Sequence, residues 1–539
     1  MPEPAERTTT QFATIVGLIG TILTFIAAKG HLPGIGNDAA SYVAIADRLA
    51  NGGSLGYFLE PKLGLWPPGF PAVLAVPRWI LGVGPEITAL WINAFALVPL
   101  AWTTRWLVVR VGCAPRTQRA GILIAVLGPA TLSQSYMAQT EITFVLLVLW
   151  SFVALIRFCD TGHRSWFVWA VLAQWAAFMD RYVGLVAIGA GALWLALERV
   201  SDRPAGARFA RGVAFFVASC ALPGAWILRN VVVTDTPFGP RDSPIATIAS
   251  NTVDAATSLG QYLHGFARYA PMIGVGRLAS LVLAAAVGLV ALGLTRRVMA
   301  ARDTRADSWR RLPTGIGDLI GHPAGLLTIY GIAHWAYMIY SASTIAFDPV
   351  NTRYLVPMFI PLLVVGMALL QRGALDTVSP TGARVTGLTK LVAMTLPLLV
   401  VLQVGMGLVR VSASYWTDDA QGYSSPKALA VRESPVLDSV PGDCDRRYSN
   451  FPELTYLAGF EAQRSPRRTK FASIDELREL EDLQEHVADG GSACLIWVDD
   501  DRFATPLYQW QLDELGDRLE LIPLDQDRNV AVYRVGPSS

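Results

Sequence analysis

Residues 11–28, QFATIVGLIGTILTFIAA, contain no charged side chain and follow the charged stub MPEPAER at residues 1–7. About 20 apolar residues let a helix cross a bilayer. The stretch lacks a clear small-residue cleavage site, so we interpret it as an uncleaved first transmembrane helix rather than a signal peptide. This segment places the chain in a membrane.

The composition of the whole chain also indicates a bilayer as its solvent. Of the 539 residues, 52% are hydrophobic and 16% are charged, whereas soluble domains carry about a quarter charged residues. The formal net charge is +1, which gives no global field of the kind that binds nucleic acid, so we expect no nucleic-acid partner. The five cysteines show no metal-binding spacing.

Further apolar stretches bring the prediction to about eleven transmembrane helices. Two of them almost touch at Asp180 and Arg181, which predicts a tight hairpin with its tip at the outer surface. The stretches after the first lie near 85–109, 119–136, 141–157, 165–180, 182–198, 209–228, 277–295, 323–343, 353–371 and 386–410.

Arginine and lysine are concentrated in every second loop between these spans. Positive charge marks cytoplasmic loops, so the pattern predicts an N-terminus inside and an odd number of spans in a multi-pass protein of the cytoplasmic membrane. The outside segments are then loop 31–84, loop 229–276 and the tail from about residue 412.

The tail differs in character from the rest of the chain, because its apolar runs are short and charges return. We expect a helical membrane domain at 1–411 and a small extracytoplasmic α/β domain at 412–539. Its predicted strands are Arg446–Asn450, Ala493–Asp499 and Val530–Val535, and its predicted helices are Ile474–Ala488 and Leu507–Leu519.

Two cysteines lie at the first two of these strands: Cys444 precedes one and Cys494 opens the other. A strand–helix–strand unit makes its strands parallel, which brings both cysteines to the same end of the sheet. A disulfide and two unpaired buried thiols both remain open at this point.

The first outside loop carries the densest group of polar and aromatic residues. It begins with GNDAASYVAIADRLANG at 36–52, in which residues 38–50 have helical spacing and predict a helix lying on the membrane. The next motif, WPPGFP at 66–71, is expected to be irregular because its prolines lack a donor. Asp38 is either the N-cap of that helix or a catalytic carboxylate.

Three further ionisable residues are predicted at outer helix ends. Glu141 is either a helix-start glutamate favoured by the dipole or a functional carboxylate. Arg181 and Arg353 either snorkel to lipid headgroups or stabilise a departing phosphate. Two carboxylates and two cations outside the membrane are the groups that transfer from a phosphate-linked donor requires.

In their order, the motifs of the chain resemble those of the GT-C glycosyltransferases, in particular the bacterial aminoarabinose-transferase-like and protein-mannosyltransferase-like branch. The tail segment RRYSNFPELTYLAGFEAQRSPRR, residues 446–468, also resembles the polar domain of bacterial members. The motifs in the membrane part are GNDAASYVAIADRLANG, WPPGFP, TEITF at 140–144, MDRYVGL at 179–185, LRNVVVTDTPFG at 228–239 and RYLVP at 353–357.

The resemblance implies an α-helical polytopic enzyme that transfers a sugar, with inversion, from a polyprenyl-phosphate donor to an envelope acceptor (lipid, glycan or protein) at the outer face. It implies that Asp38 is the base and that Glu141 is the second acidic position. Many relatives have an acidic pair in the first loop, but here Asn37 precedes a lone Asp38. A single carboxylate is a poor divalent-cation site, which leaves a metal requirement open.

The phosphate of the donor is expected to be bound by Arg353, with Arg181, Arg229 and Lys62 as further candidates. Trp66 and Tyr354 are candidates for stacking on sugar faces, or for interfacial anchoring. A flippase or transporter of lipid-linked sugars is the competing interpretation. It fits less well, because the charges lie at helix ends and no repeated halves are evident.

Overall fold

The computed structural model describes residues 4–29, 33–59, 62–201, 203–239, 241, 244, 246–264, 320–345, 350–375, 387–417, 425–466, 476–499 and 512–537. Within these ranges the regular secondary structure of the membrane part is helical. Its helices are α1 (Pro4–Ala27), α2 (Asn37–Ala50), α3 (Gly69–Leu81), α4 (Pro85–Arg110), α5 (Pro115–Leu127), α6 (Pro129–Ser135), α7 (Glu141–Thr161), α8 (Arg164–Asp180), α9 (Gly184–Leu197), α10 (Ala205–Thr234), α11 (Ile248–His264), α12 (Pro323–Thr344), α13 (Thr352–Leu375) and α14 (Gly387–Thr417).

The predicted spans coincide with these helices, except 119–136, which is divided in two, and 277–295, which lies outside the described residues. Within the described part, six helices are long and apolar enough to cross a membrane by length and composition: α1, α4, α7, α10, α13 and α14. Most of the apolar surface of α1, α10 and α14 faces outward, as for Trp416, which is 77% exposed. The prediction of a polytopic helical membrane protein is therefore confirmed.

One predicted span, 119–136, is not a single helix. It is divided into α5 and α6 at Gly128, whose backbone is extended (ψ 158°). The break has a local cause, because the ring of Pro129 disfavours helical geometry in the preceding residue and its nitrogen has no proton to donate.

The hairpin predicted at Asp180 and Arg181 is present. Helix α8 ends at Asp180, and the amide of Gly184 donates to the carbonyl of Arg181 (2.9 Å) before α9 begins. A Cβ on Gly184 would lie 2.8 Å from the backbone of Phe178, so the turn requires glycine at this position.

The helix predicted in the first loop is confirmed as α2, but the prediction for WPPGFP was only partly right. Trp66, Pro67 and Pro68 are not helical, whereas Gly69 opens α3 and Pro71 lies in its first turn. A first-turn amide has no partner inside its helix, so proline costs little there.

The tail forms a five-stranded sheet in the order β2-β1-β3-β5-β4. Predicted strands β1, β3 and β5 are confirmed, whereas β2 and β4 were not predicted. The elements are α15 (Pro426–Arg432), a 3-10 turn (Pro435–Ser439), β1 (Arg446–Ser449), α16 (Pro452–Leu457), β2 (Gln463–Arg464), α17 (Glu476–Ala488), β3 (Ala493–Val498), α18 (Leu512–Gly516), β4 (Glu520–Gln526) and β5 (Val530–Gly536).

Strands β1 and β3 are parallel, as predicted, and they are also adjacent, with Arg447 opposite Cys494. Cys444 and Cys494 are joined by a disulfide, with their Cα atoms 5.9 Å apart. The disulfide therefore joins the residue two positions before β1 to the second residue of β3, and these two strands are neighbours in the sheet.

The tail packs on the first loop. A single apolar cluster contains Ala39 and Tyr42 of α2, Phe70 of α3, and Leu454 and Val532 of the tail. The tail and the loop that carries Asp38 therefore lie at the same end of the helix bundle.

Candidate active site

Asp38 lies in the first turn of α2 and is not its N-cap. The cap residue is Gly36, which has no side chain to bond to the free amides of the first turn. The carboxylate oxygen Oδ2 of Asp38 instead accepts a hydrogen bond from Nη2 of Arg353. The side chain of Asp38 remains 29% exposed, so the carboxylate is both paired and accessible.

Glu141 is the first residue of α7, and its side chain is 1% exposed. Its oxygen Oε1 accepts from Nε of Arg353 (2.5 Å) and from Nη1 of Arg181 (2.5 Å). Its other oxygen, Oε2, has no hydrogen-bond partner within the described part of the chain. One oxygen atom of Glu141 therefore binds two guanidinium groups, that of Arg353 in α13 and that of Arg181 in the turn between α8 and α9.

Arg353 is positioned by the first turn of α13. Its amide donates to Oδ1 of Asn351 (3.0 Å), and its guanidinium lies 5.6 Å from the ring centre of Tyr354. The buried His334 of α12 bonds through Nε2 to the carbonyl of Tyr354 (2.9 Å). Pro357 has no amide proton for the carbonyl of Arg353, so side chains rather than a regular helical bond fix this turn.

The four residues form a chain of ion pairs: Asp38, Arg353, Glu141 and Arg181. Burial raises the pKa of Asp38, but the charge of Arg353 and its hydrogen bond outweigh this, with help from Arg181 and Arg241. The net result is a pKa for Asp38 below its ordinary value. Asp38 is therefore a carboxylate at neutral pH.

The segment before WPPGFP is fixed to the bundle by its backbone carbonyls. Nη1 of Arg229 donates to Leu63, the hydroxyl of Tyr182 donates to Gly64 (2.7 Å), and Nη2 of Arg241 donates to Leu65 (2.9 Å). These bonds hold the loop beside the Arg181 turn, since Tyr182 is the neighbour of Arg181 in sequence.

The remaining predicted residues differ in their surroundings. Trp66 packs edge-on against Tyr57 and Tyr42, with ring centres 5.0 and 6.3 Å apart. Tyr354 is buried in the bundle core, whereas the side chain of Lys62 is exposed. Arg229 also stacks over Trp226 at 4.8 Å.

The structure thus brings Asp38, Glu141, Arg181 and Arg353 into contact through a chain of ion pairs. Trp66 lies in the adjoining loop, and Arg229 of α10 donates to the same loop. Arg241 was missed by sequence reasoning, although its charge acts on Asp38. Its only sequence signal was a positive residue in an outside loop, because its contact with Leu65 spans 176 residues.

The described donor set does not fit a divalent cation. Among the described residues, no three His, Cys, Asp or Glu side chains are grouped for a metal ion. The guanidinium of Arg353 lies between the two carboxylates and occupies an oxygen of each. A cation at this place would be repelled by that charge, so no catalytic step is assigned to a metal.

The fold resembles solved membrane-protein structures. ArnT from Cupriavidus metallidurans, an aminoarabinose transferase, bound to undecaprenyl phosphate, has 15% identity and a TM-score of 0.55, over 97% of this chain and 98% of that chain. Its apo structure has 13% identity and a TM-score of 0.56, over 98% of each chain. At these identities the likeness establishes the fold, which is the GT-C fold that the motifs implied.

A weaker likeness, with a TM-score of 0.48 and 12% identity, is to the archaeal oligosaccharyltransferase AglB from Archaeoglobus fulgidus, in complex with an inhibitory peptide and a dolichol-phosphate. It covers 90% of this chain and 69% of that chain. No protein-family profile and no curated protein sequence matches this chain.

Proposed function

We propose that this protein is a membrane glycosyltransferase that takes a sugar from a polyprenyl-phosphate donor and attaches it to an envelope acceptor. The observation that carries the proposal is the ion-pair chain of Asp38, Arg353, Glu141 and Arg181 in a GT-C fold. The ion-pair chain ends in the partly exposed carboxylate of Asp38. It also contains two cations, Arg353 and Arg181, which the buried Glu141 holds in place. General-base transfer from a phosphate ester uses these two components.

The reaction is a single displacement with inversion. An acceptor hydroxyl transfers its proton to Asp38 as its oxygen bonds to the anomeric carbon. The bond between that carbon and the phosphate oxygen breaks, and the electron pair leaves with the polyprenyl phosphate. Asp38 is exposed enough to receive the proton and is ionised before the acceptor arrives.

The leaving phosphate is the partner proposed for Arg353 and Arg181. Both guanidinium groups are held at a fixed place by the buried Glu141, so they need little reorganisation when negative charge develops. Undecaprenyl phosphate bound to ArnT, a protein of the same fold, supports a lipid phosphate as the ligand. In this account Glu141 orients the cations, and Arg229 and Lys62 are supplementary phosphate contacts.

Arg353 also links phosphate binding to the basicity of Asp38. In the unliganded site its guanidinium holds the pKa of Asp38 below the ordinary value. A donor phosphate that takes over part of this guanidinium weakens the pairing, and the pKa of Asp38 rises. The base therefore becomes stronger when the donor is bound. Trp66 is proposed to contact the sugar, whereas the ring of Tyr354 is buried in the bundle core beside Arg353.

The reaction is placed at the outer face of the cytoplasmic membrane, with the tail outside the cytoplasm. The arginine pattern of the loops supports this orientation. The packing of the tail on α2 supports one side of the membrane for both the tail and Asp38.

The test is transfer by the purified protein in lipid nanodiscs. A panel of polyprenyl-phosphate hexoses and pentoses is incubated with an acceptor fraction extracted from envelopes. We expect release of polyprenyl phosphate and a glycosylated product of inverted anomeric configuration, both measured by mass spectrometry and NMR. Movement of intact donor between leaflets of vesicles without any product would contradict the proposal and favour a flippase.

A further inference from the structure

We propose that Tyr456 of the tail is a positioning residue for Asp38 and acts through Asp47 of α2. The inference rests on the proposed function, because it concerns the same reaction. It adds a role for the tail, which otherwise contributes no residue to the ion-pair chain.

Helix α2 presents its two acidic residues to different partners. Asp38 and Asp47 are nine residues apart, which corresponds to about two and a half turns of an α-helix, so they lie on opposite faces. Asp38 accepts a hydrogen bond from Arg353 of the membrane bundle, whereas Asp47 accepts one from Tyr456 of α16 in the tail. The helix is therefore fixed from both sides.

The contact on the tail side is specific. The hydroxyl of Tyr456 donates to Oδ2 of Asp47 (2.8 Å), while Nε of Arg78 lies 3.1 Å from Oδ1. The Tyr456 ring lies 5.4 Å from the ring of Phe58, which is buried. Burial first, and then the charge of Asp47, raise the pKa of Tyr456, so its hydroxyl keeps the proton that it donates.

Apolar packing is non-directional, so it fixes the position of α2 along its axis less sharply than a hydrogen bond does. The buried residues of α2 include the small side chains of Ala39, Ala40 and Ala46 beside the larger Tyr42 and Ile45. The Tyr456 bond fixes the position of the helix with a directional contact. A displacement of about 1 Å at a reacting group is enough to cost a large part of the rate, so this contact acts on turnover rather than on donor affinity.

The first test compares Tyr456→Phe, which keeps the ring, with Tyr533→Phe, a tail tyrosine that packs in the other core of the sheet. For Tyr456→Phe we expect kcat to fall by roughly tenfold to a hundredfold with the donor KM unchanged. The acidic limb of kcat/KM should move to higher pH, because Asp38 pairs less well with Arg353. Tyr533→Phe should leave all three quantities as in the wild type, and wild-type kcat and pH profile in Tyr456→Phe would overturn the proposal.

A second measurement does not depend on activity. Hydrogen exchange in residues 37–50 should accelerate in Tyr456→Phe and not in Tyr533→Phe, whereas unchanged exchange in Tyr456→Phe would refute the positioning role. Asp47→Asn keeps an acceptor for the hydroxyl and should exchange more slowly than Asp47→Ala. If the wild type shows no transfer but the exchange differences appear, the proposed reaction fails while the mechanical link from tail to α2 stands.

Discussion

Arg353 donates to two carboxylates on different helices, and it does so through different nitrogen atoms. Nε contacts Glu141 and Nη2 contacts Asp38. The planar guanidinium reaches the two carboxylates from two nitrogen atoms in a fixed geometry, whereas the ammonium of lysine offers all of its donors from one nitrogen atom. The snorkelling alternative for Arg353 does not describe this side chain, which is directed at the two carboxylates.

Arg353→Lys should therefore weaken the donor complex while keeping the charge. One lost charge-assisted bond is worth about 1.5–3 kcal/mol, so the donor KM should rise by roughly tenfold to a hundredfold. Titration with polyprenyl-phosphate donor in nanodiscs measures this effect. The matched control is Arg157→Lys, which changes an arginine stacked on Trp106 at the other end of α7 and should leave the donor KM unaltered. An unaltered KM in Arg353→Lys would place the phosphate elsewhere.

The pH dependence follows from the lowered pKa of Asp38. Ionised Asp38 is required, so the rate is retained above its pKa and lost as pH falls through it. In kcat/KM, which reports the free enzyme, the acidic limb should lie below the ordinary aspartate value of 3.8. The acidic limb of kcat should lie at higher pH, because the donor phosphate weakens the pairing of Arg353 with Asp38 and so raises the pKa of Asp38. A kcat/KM limb near pH 6 would show that a different group is the base.

At the scale of the elements, the sheet of the tail shows how local sequence and long-range pairing each contribute to the formation of a strand. Strands β3 and β5 have apolar, largely buried sequences and could be predicted. Strand β1, RRYS, was also predicted, although only its last two residues, Tyr448 and Ser449, are buried. Strand β4, ELIPLDQ, has mostly exposed residues with proline and aspartate, and pairs on one side only with β5. Its strand conformation comes from that pairing rather than from its own pattern.

The disulfide between β1 and β3 gives a prediction at this scale. Labelling of the denatured, unreduced protein should modify the free thiols Cys113, Cys159 and Cys220, and labelling after reduction should add Cys444 and Cys494. The sequence separation is 50 residues, so loss of the bond should destabilise the tail by about 3–4 kcal/mol in the chain-entropy model. Modification of Cys444 and Cys494 before reduction would contradict this.

For the molecule as a whole, the spans could be predicted because apolar runs report directly on a bilayer. Four candidate site residues could also be predicted: Asp38 from its place in the first outside loop, and Glu141, Arg181 and Arg353 from outer helix ends. Their contacts could not, since the bond between Asp38 and Arg353 joins residues 315 apart in sequence. The bond between Tyr456 and Asp47 spans 409 residues and leaves no local pattern.

The orientation of the molecule is a further prediction. Reporter fusions after Gly162, in the turn between α7 and α8, and at Gly536, at the end of β5, should report opposite sides of the membrane. Gly162 is expected inside because arginines flank it at Arg157 and Arg164. A fusion after Gly53, which follows α2, is the control and should report the same side as Gly536. Agreement between Gly162 and Gly536 would require a different number of spans between them.

The central claim, that Asp38 is the base in a sugar transfer, is tested most directly by Asp38→Asn. The amide keeps the size of the side chain and a hydrogen-bond acceptor for Arg353 but cannot take a proton. The control is Asp160→Asn, which removes a carboxylate paired with Arg110 at the opposite end of α7, about 28 Å from Glu141. In nanodiscs, Asp38→Asn should lose at least about a hundredfold in transfer rate with normal membrane insertion, while Asp160→Asn keeps wild-type turnover. Near-normal turnover in Asp38→Asn would contradict the account.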